Sequence, residues 1–91
     1  MKIPRNINYK KLIKSLDKYG FKITRRTGSH IRLTAEIEGK VYYLTIPAHN
    51  PIKIGTLNSI LDELSKILKI QKSELIKILF NLTLSFNSLF F

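Results

Sequence analysis

The chain of 91 residues has no cysteine and no tryptophan. Without thiols there is no disulfide staple and no thiolate metal site, which fits a reducing compartment and leaves packing alone to hold the fold. Carboxylates are scarce as well: six Asp and Glu stand against sixteen Lys and Arg, a formal net charge of +10. Those six are scattered along the chain rather than clustered, which argues against a nuclease built on two metal ions, and no metal or other cofactor is expected. Long apolar runs are also missing. The longest uncharged stretch, Ile78 to Phe91, is too short to span a bilayer and is interrupted by Asn81, Thr83, Ser85, Asn87 and Ser88. Met1-Lys2-Ile3-Pro4-Arg5-Asn6 has no apolar segment behind its charges, so no secretory signal is read there, and a soluble cytoplasmic protein is expected.

What is present is enough for one domain with a single hydrophobic core. The excess of positive charge points to polyanions as partners, although charge alone does not choose between RNA, DNA, an acidic membrane and an acidic protein.

Asn8 is placed to cap a helix over Tyr9 to Tyr19, with Gly20 ending it in a left-handed conformation. Tyr9, Leu12, Ile13, Leu16 and Tyr19 share one face at helical spacing, and Lys10, Lys11, Lys14 and Lys18 fall outside it. Those lysines are read first as a solvated face, with phosphate contact as the alternative. Phe21 to Arg26 alternates as a strand with Phe21 and Ile23 on one side, and Thr27-Gly28-Ser29 supplies a turn. From His30 the alternation is clean: Ile31, Leu33, Ala35 and Ile37 share one face, and His30, Arg32, Thr34 and Glu36 the other. Glu38-Gly39-Lys40 forms a hairpin loop to a third strand, Val41 to Ile46, whose residues Val41, Tyr43 and Thr45 fall on the side of His30 and Arg32.

After an irregular segment, Pro47 to Lys53, a second helix opens at Gly55-Thr56, with Leu57, Ile60, Leu61, Leu64, Ile67 and Leu68 as its buried stripe. Gln71 and Glu74 resemble a capping pair for a third helix bearing Leu75, Ile76 and Leu79. The expected fold is α+β, in the order α-β-β-β-α-α, with a three-stranded antiparallel sheet backed by helices on one face and open on the other. Residues 1–80 are expected to form the domain. Residues 81–91 read as an apolar tail with strand-like alternation, suited to covering the domain or to oligomer formation.

Chemistry concentrates at Thr27-Gly28-Ser29-His30. One of two histidines stands there behind a glycine turn, with Arg25 and Arg26 before it and Arg32 after it. Imidazole can take and return a proton near neutral pH, and guanidinium groups grip phosphate. Tyr43 is a candidate surface for base stacking, with cross-strand packing as the equal alternative. His49 lies in the loop, where a histidine is more often simply exposed.

Three separated pieces, Gly28-Ser29-His30, Ile46-Pro47-Ala48-His49 and Gly55-Thr56-Leu57-Asn58-Ser59-Ile60-Leu61, stand in an order and spacing that resemble the HicA (YcfA-like) family of toxins over about residues 7–79. The resemblance implies a double-stranded-RNA-binding-domain-like fold and an mRNA interferase, an endoribonuclease silenced by a HicB antitoxin. It also implies that His30 is the catalytic histidine, with Pro47, His49, Gly55 and Thr56 positioning the fold or lining the site. The expected reaction is metal-independent: His30 as general base on a ribose 2′-OH, Arg25, Arg26 and Arg32 on the phosphate, with Ser29, Tyr43 and His49 among the RNA-binding residues. His49 or a lysine is the candidate donor to the leaving oxygen. The rival expectation is a non-catalytic RNA-binding module using the same basic sheet face.

Overall fold

The computed structural model describes residues 3–80, so the expectations for residues 81–91 lie outside the described residues. Helix α1 spans Tyr9–Leu16 and continues as a 3₁₀ turn over Asp17–Tyr19. Its start is fixed by Asn8, whose side-chain oxygen accepts from the backbone N–H of Lys10 (2.8 Å) and Lys11 (3.3 Å), satisfying donors that a helix start leaves without partners. Gly20 ends the element at φ +90°, a conformation that costs glycine little.

Strands β1 (Lys22–Thr27), β2 (His30–Ile37) and β3 (Lys40–Pro47) follow as an antiparallel meander in the order β1-β2-β3. The β2–β3 loop is Glu38-Gly39 alone, with both residues at positive φ (52° and 80°), the two-residue type I′ pattern that matches strand twist. Lys40 therefore belongs to the strand rather than to the expected loop. Helices α2 (Ile54–Leu68) and α3 (Lys72–Phe80) complete the expected order.

The core lies between the helices and one face of the sheet. Leu12 and Leu16 of α1, Phe21 ahead of β1, Ile31, Leu33 and Ala35 of β2, Leu44 and Ile46 of β3, Leu57, Ile60, Leu61 and Leu64 of α2, and Leu75, Ile76 and Leu79 of α3 are buried, while Ile67 and Leu68 at the end of the expected α2 stripe are only partly so. Burying each aliphatic side chain contributes roughly 1.5–3 kcal/mol before entropy is counted, and among the described residues no polar or charged side chain is buried with them. The segment after β3 is tied down: Asn50 Oδ1 accepts from the Tyr9 N–H at 2.9 Å, the Ile52 N–H donates to the Ile7 carbonyl at 3.0 Å, and the Ile52 side chain is buried. Lys72 joins α3 to α2 through Asp62 (2.6 Å) and Asn58. No helix among the described residues is long and apolar enough to cross a membrane.

One expectation about β1 is corrected. The alternation groups Ile23 with Phe21, but Phe21 is buried whereas Ile23, opposite buried Leu33, is 51% exposed. β1 is an edge strand, and all its residues are exposed. The simple alternation also fails beyond Ile23. Ile23 pairs with Leu33 and Arg25 with Arg32, so Thr24 is an extra residue, a bulge in the edge strand. Its hydroxyl lies 2.6 Å from that of Thr34.

Candidate functional site

The helix-free face of the sheet is built by register. His30 opens β2 directly after the two-residue loop Gly28-Ser29, in which Gly28 has φ +56° and Ser29 does not share that conformation, as in a type II′ turn. This loop length sets Thr27 opposite His30. On the other side of β2, His30 pairs with Pro47 and Arg32 with Thr45. The bulge at Thr24 brings Arg25 opposite Arg32; uninterrupted alternation from Ile23 would have turned it to the helix side.

The result is a shallow depression of about 330 Å³ lined by Arg25, Thr27, His30, Arg32 and Thr45. All five are exposed, so a polymer can reach them without any part of the fold opening. Arg25 and Arg32 hold directly opposed positions in the register and both line the depression, and among the described residues neither has a carboxylate partner within ion-pairing distance. Like charges set opposite each other across strands oppose folding; an anion bound between them relieves that repulsion and gains charge-assisted hydrogen bonds. Next along the face, the Arg32 guanidinium lies 5.4 Å from the centre of the Tyr43 ring, within cation–π range. Tyr43 is 58% exposed and so offers a ring face to solvent.

Of the residues singled out from the sequence, His30, Arg25 and Arg32 come together in the depression, and Tyr43 borders it through Arg32. Arg26 does not join them. It pairs with Ile31, whose side chain is in the core, so the register sets Arg26 on the helix side of the edge strand. Ser29 sits in the turn, and its carbonyl accepts from the Ala48 N–H at 2.7 Å. That bond holds the His30 turn against the segment leading to His49, but exposed His49 itself does not line the depression. From the sequence Thr27 reads only as turn chemistry. The signal for its role was the two-residue loop, which makes the residue before it a direct cross-strand neighbour of the residue after it. Thr45 was assigned to this face by alternation without a role.

Among the described residues no three His, Cys, Asp or Glu converge as a metal-ligand set. Of the five side chains that line the depression, His30 carries an imidazole, Arg25 and Arg32 guanidinium groups, and Thr27 and Thr45 hydroxyls.

No curated protein and no solved structure matches the chain. A family model does: that of the HicA toxin of bacterial toxin-antitoxin systems, over residues 9–68. The match runs from the first residue of α1 to the last of α2 and contains the whole sheet with its depression. The chain belongs to the HicA toxin family.

Proposed function

We propose that this toxin is a metal-independent endoribonuclease that cleaves mRNA with His30 as its base. The observation that carries the reading is the convergence, in a single open depression, of one imidazole and two guanidinium groups that have no carboxylate partner among the described residues. The His30 ring takes the proton of a ribose 2′-OH, and the resulting oxygen attacks the adjacent phosphorus. The bond to the 5′ oxygen breaks, leaving a 2′,3′-cyclic phosphate on one product and a 5′-hydroxyl on the other. The departing oxygen takes its proton from water, which reaches this shallow site freely. Arg25 and Arg32 hold the phosphate oxygens and offset the charge that grows on them in the transition state. Thr27 and Thr45 add hydroxyl donors at the rim. Tyr43 stacks on a neighbouring base, a contact every base can make because each has a π face.

A partner antitoxin of HicB type silences the toxin in this reading. The requirement for a 2′-OH makes RNA the substrate and DNA inert. Incubating the purified protein with 5′-labelled single-stranded RNA in EDTA tests the proposal. Fragments ending in a cyclic phosphate are expected, with no product from DNA of the same sequence. Binding without product would leave an RNA-binding module in place of the enzyme.

A further inference from the structure

The charge of this chain is unevenly placed. Asp17 is the only acidic residue before Glu36, whereas ten of the sixteen Lys and Arg lie in that first part. The six lysines that follow stand among five carboxylates. Asp17, moreover, is paired with Lys22 at 2.5 Å. Apart from Lys2 and Arg5 ahead of α1, the surplus that gives the protein its net charge is thus carried by α1 with its 3₁₀ turn, β1 and the start of β2.

The fold joins these cations to the depression. Arg25 and Arg32 lie in it, and Arg26 sits next to Arg25 on the other side of the same edge strand. Further along β1, Lys22 and Ile23 line a second groove with Ile13, Lys14 and Asp17, which brings the exposed basic side of α1 to the strand's edge. Lys11, Lys14 and Lys18 follow one another at helical spacing of three and four residues, and all are exposed. From Arg26 to Lys22 the strand covers about 13 Å at roughly 3.3 Å per residue. Nothing among the described elements covers β1 on its outer side, since it is the end strand of the sheet.

We infer that the edge of β1 and the lysines of α1 form a track for the single-stranded RNA flanking the scissile phosphate, running from the depression over Arg26 to Lys14 and Lys18. The inference rests on the reading of His30 and its arginines as the cleavage site and adds the path of the substrate beyond it. RNA is favoured over an acidic protein because the track is continuous with guanidinium groups that already face an open anion site. The track carries no sequence information: point charges on phosphates set affinity and salt dependence, not base choice.

The test uses the full chain carrying His30→Ala, so that RNA survives the measurement, and single-stranded RNAs from about 4 to about 16 nucleotides, the range of known single-strand sites. Affinity is expected to rise with length. Combining Lys14→Gln, Lys18→Gln and Arg26→Gln is expected to remove that gain, weakening the longest RNA at least tenfold and lowering the slope of log Kd against log salt by about 2. Lys53→Gln, Lys66→Gln and Lys77→Gln together remove the same charge elsewhere and are expected to change affinity less than threefold, with thermal melts confirming that both variants fold. Length-independent binding, or equal weakening by the two triple variants, would overturn the track. So would a first triple variant that keeps its RNA affinity and loses binding only to polyglutamate, which would assign the surface to an acidic protein. Cleavage of the shortest RNA by the otherwise unchanged protein reads the His30 site separately: with the three track residues replaced, its kcat is expected to stay the same while KM for long RNA rises.

Discussion

Arg25 and Arg32 occupy directly opposed positions on β1 and β2, two arginines lining one depression on the uncovered side of the sheet. Like charges directly opposite across strands oppose folding, on the scale of other cross-strand pairs at about 0.2–1 kcal/mol, and in the proposed reading the bound phosphate offsets that cost. Arg25→Gln is therefore expected to leave the melting temperature unchanged or raise it slightly, while cutting cleavage at least tenfold. A charge-assisted hydrogen bond contributes roughly 1.5–3 kcal/mol. Parallel thermal melts and initial rates check the opposite signs; a variant that loses both stability and activity would mark Arg25 as structural.

Tyr43 borders the same site through its contact with Arg32. Base stacking on an aromatic ring is worth roughly 1–3 kcal/mol, so Tyr43→Ala is expected to raise KM for RNA by tenfold or more with kcat largely retained. Tyr43→Phe keeps the ring and is expected to stay close to the parent. Steady-state kinetics on one oligonucleotide separates the two variants.

Gly28 holds φ +56° at the turn before His30, with nothing within 4 Å of where a Cβ would stand. Gly28→Ala therefore meets no clash and carries only the backbone cost of a positive φ that residues with a Cβ rarely adopt, roughly 1–3 kcal/mol. Denaturant unfolding is expected to show that loss. Gly28→Asn is expected to lose less, because Asn tolerates this conformation better.

Thr24 is the extra residue of the bulge, and the pairings on either side of it, Ile23 with Leu33 and Arg25 with Arg32, are already those of a regular ladder. Deleting Thr24 is expected to preserve the fold and cleavage within a few-fold, despite loss of the Thr24–Thr34 hydroxyl contact. A collapse of activity on deletion would mean that the bulge itself aims Arg25.

Much of this architecture was legible in the residues. The Asn8 cap, the Gly20 stop, the alternation from His30 to Ile37 and the stripe from Leu57 to Leu64 each follow from local chemistry or from burial on one face, and the structure has all four. β1 was the weak point. A strand at the sheet's edge buries little, so its pattern constrains little, and one inserted residue exchanged the faces expected beyond Ile23. That is why Arg25, rather than its chemically identical neighbour Arg26, faces the open side of the sheet. Composition gave the total positive charge, but which cations line the depression depended on register, and the loop that carries His49 offers no periodicity from which its distance to His30 could be read.

The central claim is that one imidazole on an open sheet face performs the proton transfer. The most direct measurement is cleavage of labelled single-stranded RNA in EDTA by the protein carrying His30→Ala, together with its affinity for the same RNA. Cleavage is expected to vanish while RNA is still bound and the melting temperature holds, because His30 is exposed and supports no part of the core. Cleavage continuing at the parent rate would contradict the account.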